Sequence, residues 1–167
     1  MTSFQNLTLT RQYPNHSDVI RLDRDGLEER WISVRRTGTD ELSVFDAFSS
    51  APDQIVAQMV FGGLSHYEGA RTRMGGAEWP LLWLQGDVCP GHHVSGAQAF
   101  LIPGQTLRRV RLDDRIVGTL WSDADADYCL LAGILPADLT APRGSQTRSC
   151  FEQIETALQH ASMDFSQ

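Results

Sequence analysis

Short runs with the residue pattern of strands make up most of this chain, and turn signals separate several of them. Asp25-Gly26, Gly62-Gly63, Pro103-Gly104 and Asp113-Asp114 are dipeptides of this kind. Between them, apolar and polar residues alternate or form short β-branched runs, a pattern typical of strands. The predicted strands are 4–11, 18–22, 31–36, 54–61, 80–84, 97–102, 107–112, 115–121 and 128–135. Many short strands with few helices predict an α+β fold.

Helical spacing is confined to a few segments. In 41–49 the apolar residues Leu42, Phe45 and Phe48 share one helix face, and Asp40 precedes them as an N-cap. The polar segment 65–76 is predicted to be helical in part. The final element is predicted to be an amphipathic helix with Cys150, Phe151, Ile154, Leu158 and Ala161 facing the core.

The residue pattern of the sequence changes after Pro103-Gly104. This dipeptide is therefore the best candidate for a boundary between two regions. Residues 1–104 form the first region, and residues 105–167 form the second. The second region contains a strand hairpin, a further strand and the final helix. The chain ends where a strand would normally return to the sheet, so the sequence predicts a sheet that is incomplete at this end.

All 14 basic residues are arginine, so every mechanism that needs a lysine amine is excluded, including Schiff-base chemistry. The net charge of −7 argues against a general nucleic-acid surface, whose affinity comes from neutralising phosphates. The sequence shows neither a secretory signal nor an apolar run long enough to span a membrane. Cys89, Cys129 and Cys150 are expected to be reduced thiols, and the protein is expected to be cytoplasmic.

Two motifs resemble metal sites without completing them. Cys89 and His92, followed by His93, supply at most half of the ligands that zinc requires, although folding could add His66. A glycine- and proline-rich surface loop is the simpler interpretation. The acidic run 123–127 lacks the glycine and glutamate of a calcium loop and is interpreted as a turn. The sequence therefore predicts neither a metal nor a cofactor.

The densest basic patch contains Arg108, Arg109, Arg111 and Arg115. On a strand, Arg109, Arg111 and Arg115 can share one face and form a fork for a carboxylate or phosphate. The adjacent acidic turn at 113–114 leaves open a solvated hairpin that neutralises its own charge.

The second region resembles the opening of a RidA domain. This superfamily is also called YjgF, endoribonuclease L-PSP or translation initiation inhibitor. The similar segments are 118–122 (Gly-Thr-Leu-Trp-Ser), 131–136 (Leu-Ala-Gly-Ile-Leu-Pro), and 146–148 (Gln-Thr-Arg) at the start of the final helix. The strands of the first region are similar to the degenerate RidA-like half of long, chorismatase-like members. The resemblance implies a chorismate-mutase-like mixed sheet with helices packed on one face, and it implies a trimer.

The same resemblance implies handling of a small carboxylate-bearing metabolite, by enamine or imine hydrolysis or by chorismate hydrolysis. Trp121 stands where the family has a tyrosine near the ligand, and Gly133 could offer its backbone N–H to a carboxylate. The arginine and glutamate that perform the family's chemistry lie beyond the elements present here. The predicted ligand-binding residues are therefore Trp121, Gly133, Arg109 and Arg111, in a homo-oligomeric protein with little or no activity alone.

A different class of function remains open. The arginine hairpin and the final helix could form a non-enzymatic binding or assembly module.

Overall fold

The computed structural model describes residues 7–14, 16–85 and 93–166 as nine strands, two α-helices and three 3₁₀ helices. The strands are β1 (Leu7–Gln12), β2 (Ser17–Arg24), β3 (Leu27–Arg35), β4 (Ile55–Gly62), β5 (Leu81–Leu84), β6 (Val94–Leu101), β7 (Arg108–Leu112), β8 (Arg115–Ser122) and β9 (Asp127–Leu131). The α-helices are α1 (Tyr67–Arg73) and α2 (Arg143–His160), and the 3₁₀ helices are Ser43–Phe48, Pro52–Gln54 and Leu64–His66.

The strands form two sheets, and together with the helices they make an α+β fold. The six-stranded sheet has the order β1-β2-β3-β6-β4-β5, in which only the β4–β5 pair is parallel. The three-stranded sheet has the antiparallel order β7-β8-β9. The chain passes from the first sheet to the second between Leu101 and Arg108.

Turn chemistry explains where the hairpins form. Asp25 and Gly26 join β2 to β3 with positive φ angles of 50° and 87°, as a two-residue hairpin turn requires. Asp113 has a φ of 51° in the turn between β7 and β8. The hairpins predicted at both dipeptides are confirmed.

Each face of the six-stranded sheet has its own core. One face packs on the 3₁₀ helix Ser43–Phe48 and on α1 through a cluster that includes Phe45, Ile55 and Trp79. The opposite face packs on the three-stranded sheet through Leu27, Val56, Phe100 and Ile102. A third cluster joins α2 to the three-stranded sheet.

Several sequence-based expectations need correction. β1 is exposed along its whole length rather than half-buried, because it lies at the sheet edge. The helix predicted over 41–49 is a 3₁₀ helix, although Asp40 Oδ1 does accept a hydrogen bond from the backbone N–H of Leu42 (3.0 Å). β9 ends at Leu131, four residues before the predicted limit of 135. Phe151 is 57% exposed, because the narrow contact of α2 with its sheet is made by the small residues Ala157 and Ala161.

The two sheets are joined by hydrogen bonds as well as by apolar packing. Thr119 is fully buried on β8, and its hydroxyl donates to the backbone oxygen of Val56 on β4 (2.7 Å). Arg109 Nη1 on β7 donates to Thr119 Oγ1 (2.7 Å) and to the backbone oxygen of Ile55 (2.8 Å). Burial lowers the pKa of the Arg109 guanidinium, and the carboxylates of Glu78 and Asp53 oppose that shift.

We expect Thr119→Val to lower the free energy of unfolding by about 1–3 kcal/mol, because it leaves a buried carbonyl and a half-buried guanidinium without their shared partner. Thr10→Val on the exposed strand β1 is the matched control and should change stability by less than about 0.5 kcal/mol. Urea unfolding of the two variants measures the difference. Equal effects would contradict the link between the sheets.

Candidate functional site

A cavity of about 930 Å³ opens where the three-stranded sheet meets the end of α2. Its walls come from the turn before β7, the end of β8, the start of β9 and the segment that follows α2. Pockets of about 300–1,000 Å³ are the size that holds small metabolites. The cavity is therefore the candidate ligand site.

The lining of this cavity includes two aromatic and several apolar residues. Trp121 stacks on Tyr128, with ring centroids 5.3 Å apart and planes 10° from parallel. Leu158 and Cys129 line the cavity on the helix side. Burial raises the pKa of the Cys129 thiol, so this group stays protonated near neutral pH and is a poor nucleophile.

The charged side chains that line the cavity differ in whether they already have hydrogen-bond or ion-pair partners. Arg108 is exposed at the cavity, and within the described part of the chain its guanidinium has no ion-pair or hydrogen-bond partner. Asp127 accepts a hydrogen bond from Ser122 Oγ. Asp164 accepts one from the backbone N–H of Ser166 (2.7 Å), and the Ser166 hydrogen bonds lower the pKa of the Asp164 carboxyl. Arg108 is therefore the group best able to bind an anionic ligand.

Of the four predicted ligand-binding residues, only Trp121 lines the cavity. Arg109 is held between the sheets by Thr119 and a backbone oxygen. Arg111 lies on the surface, where its Nη2 donates to Glu78 Oε2 (3.0 Å).

Gly133 packs against the six-stranded sheet. Its φ is +72°, and a Cβ atom there would lie 2.8 Å from the carbonyl oxygen of Leu81. Both features require glycine, and they give it a packing role at the end of β9.

Arg108 lines the cavity and is not among the ligand-binding residues predicted from the sequence. The alternation of side chains along β7 could have indicated this position. Val110 and Leu112 point to the α2 core, while Arg109 lies against the other sheet. Arg108 has the same parity as Val110, so it lies on the α2 side. Arg109 and Arg111, which were predicted to form a shared fork, lie on the strand face that turns away from the cavity.

The acidic run at 123–127 is a turn, as predicted. Asp123 Oδ1 accepts hydrogen bonds from the backbone N–H groups of Asp125 (2.8 Å) and Ala126 (2.9 Å). Its Oδ2 accepts one from the Tyr128 hydroxyl (2.8 Å) and lies 3.4 Å from Arg24 Nη2 on β2. These contacts lower the pKa of Asp123, with the Asp125 backbone N–H as the largest cause. The turn thereby connects the two sheets a second time.

Of the residues considered for zinc, Cys89 and His92 lie outside the described residues. His93 Nδ1 contacts Glu41 Oε1, and His66 Nε2 lies 2.9 Å from Glu41 Oε2, an ion-pair distance without hydrogen-bond alignment. Arg36 Nη1 lies 3.5 Å from Oε1 of the same carboxylate. No three described His, Cys, Asp or Glu side chains are placed to hold a metal ion. The partly buried carboxylate of Glu41 therefore connects three segments of the chain through its contacts with Arg36, His66 and His93.

We expect Glu41→Gln to lower the free energy of unfolding by about 1–3 kcal/mol, since it removes the charge shared by Arg36 and two imidazoles. Glu78→Gln is the matched control, because the Glu78–Arg111 pair is highly exposed and should contribute less than about 1 kcal/mol. Urea unfolding at pH 7 distinguishes them. An equal loss in both variants would contradict the role of Glu41.

In the described ranges, none of the helices combines the length and apolar character needed to cross a membrane. No family model matches the chain, and no curated protein matches it. Among solved structures, it is similar to a protein from Salmonella typhimurium that is provisionally described as a translation initiation inhibitor. That similarity covers 58% of this chain and 99% of the other, with 10% identity and a TM-score of 0.44. Similarity at this level assigns neither a family nor a function to this chain.

Proposed function

We propose that this chain binds a small carboxylate-bearing metabolite in the cavity beside α2. The unpartnered guanidinium of Arg108, at a cavity of metabolite size, is the observation that carries the proposal. An arginine fork matches the geometry of a carboxylate and can donate two parallel hydrogen bonds to it. Leu120, Cys129 and Leu158 line the same cavity and offer an apolar surface to the remainder of the ligand.

The cavity also suits a ligand that carries a polar or cationic group besides its carboxylate. Asp127 and Asp164 line the same cavity as Arg108, so both signs of charge are present. A ligand with two negative groups would meet Arg108 once and the aspartates twice. The charge balance therefore favours a ligand with one carboxylate.

We further propose that the associated chemistry is the hydrolysis of a small metabolite of the enamine or imine type, because chorismate carries two carboxylates and suits the charge balance of the cavity less well. Such a reaction adds water across a carbon–nitrogen double bond, breaks the carbon–nitrogen bond and releases the amine, and it needs a group that positions and deprotonates the water. A general base works best when its pKa lies near the working pH. The lowered pKa of Asp164 makes it a weak base, so the chain alone supplies binding more readily than turnover.

Binding is tested by measuring the thermal unfolding midpoint with a panel of small mono- and dicarboxylates, followed by calorimetric titration of those that raise it. We expect Arg108→Gln to weaken binding by about 10- to 100-fold, the loss of one charge-assisted interaction. Arg143→Gln is the matched control, since Arg143 is also exposed but lies outside the cavity lining. The proposal fails if no carboxylate binds, or if the two variants weaken binding equally.

Turnover is a separate prediction. Assays of imine hydrolysis and of chorismate hydrolysis on this chain alone should show no rate above the uncatalysed reaction, because the cavity aspartates are already engaged as hydrogen-bond acceptors. Clear turnover that Arg108→Gln abolishes would contradict the conclusion that the chain lacks an effective base.

A further inference from the structure

The strand register defines how the charged side chains of the cavity are arranged. Arg108 on β7, Leu120 on β8 and Cys129 on β9 lie opposite one another in one row. Leu120 and Cys129 pack toward α2, so this row belongs to the α2 side of the three-stranded sheet. Asp127 has the same parity as Cys129 along β9 and pairs with Ser122, so it lies on the same side. Arg108 and Asp127 are thus on one face of the sheet, with β8 between them.

Arg108 and Asp127 lie on the two outer strands of this sheet. Two strand spacings across the sheet and two residues along β9 separate them, which places their Cα atoms about 12 Å apart. Within the described part of the chain Arg108 has no ion-pair partner, so the two charges do not neutralise each other. Leu120 lies on the strand between them, and Leu158 lines the same cavity from α2. A ligand that reaches both charges therefore needs polar ends that are joined by an aliphatic chain of several carbons.

Negative charge exceeds positive charge in the cavity lining. Among the described residues, the charged ones that line it are Arg108, Asp127 and Asp164. Asp127 uses Oδ1 to accept a hydrogen bond from Ser122, and Asp164 uses Oδ1 to accept from Ser166. In the part of the chain that the structure describes, Oδ2 of both carboxylates has no hydrogen-bond partner. The Ser166 hydrogen bonds also lower the pKa of the Asp164 carboxyl, so this group is ionised at neutral pH. The cavity can therefore accept one anionic and two cationic groups.

We propose that the ligand of this cavity is a basic amino acid, in which a short aliphatic chain joins one carboxylate and two cationic nitrogen groups. Its carboxylate binds Arg108, and its two cationic groups bind Asp127 and Asp164. This inference rests on the proposed binding of a carboxylate in the cavity, and it adds the class of ligand. Such a ligand has a net positive charge, which offsets the negative excess of the lining. The net charge of −7 on the chain also attracts it, because the field of a protein raises the local concentration of opposite charge.

Calorimetric titration of the whole chain with L-lysine, L-norleucine, 6-aminohexanoate and hexanoate tests the charge count. These ligands share a carboxylate on the same carbon chain and differ only in their amino groups. We expect lysine to bind most tightly and hexanoate most weakly. Each amino group that meets an aspartate should lower the dissociation constant about five- to tenfold, as expected for one charge-assisted interaction.

Asp127→Asn and Asp164→Asn test which groups bind the two amines. Asparagine keeps an oxygen that accepts hydrogen bonds, so each variant removes the negative charge without removing the acceptor. Each variant should weaken lysine binding about five- to tenfold without weakening hexanoate binding. Asp125→Asn is the matched control, because Asp125 is an exposed aspartate of the neighbouring turn and lies outside the cavity lining. The thermal unfolding midpoint without ligand verifies that each variant is folded.

Failure of this inference differs from failure of the proposed function. If hexanoate binds, Arg108→Gln weakens that binding and added amino groups bring no gain, the class of ligand is wrong while the carboxylate site stands. A gain from one amino group and not from the other would overturn the assignment of two cationic groups, and so would equal weakening of lysine binding by Asp125→Asn. If none of the four ligands binds, or if Arg108→Gln leaves their binding unchanged, the proposed function fails and this inference fails with it.

Discussion

The buried hydroxyl of Thr119 connects the two sheets, and much of the molecule depends on its position. It donates to a backbone oxygen on β4 and accepts from Arg109, so three strands meet at one atom. A polar group buried in this way is tolerated only when its hydrogen bonds are satisfied. Because those bonds are directional, they fix how the three-stranded sheet lies on the larger one. Trp121, two residues further along β8, is thereby brought onto Phe100 and to the wall of the cavity.

The arginines of β7 illustrate how one residue type can take several roles. Arg109 is half-buried and donates to two oxygens, and Arg111 forms an exposed pair with Glu78. Arg108 is unpartnered at the cavity within the described structure. The guanidinium suits the internal role because it has several fixed N–H donors and is weakly hydrated. A chain without lysine can therefore use arginine for both structural and binding purposes.

A row of aromatic rings joins the smaller sheet to the larger one. Tyr128 stacks on Trp121, the Trp121 ring meets the edge of Phe100, and Phe100 stacks on Trp31. The cavity lies where the three-stranded sheet meets the end of α2, so this row begins at strands that also line the cavity. The packing between the two sheets is thereby continuous from β9 to β3.

The sequence by itself determined the α+β class, the strand hairpins and the turn between the sheets. These depend on local properties, such as the φ angles of Asp25 and Gly26 or the alternation along β7 and β8. Only the tertiary structure decided which arginine meets the cavity, why Phe151 is exposed and how His66 and His93 meet at Glu41. Those outcomes depend on which elements pack together over long separations in the chain. Local periodicity shows that a face is apolar or charged, but the partner of that face is set by the packing of distant segments.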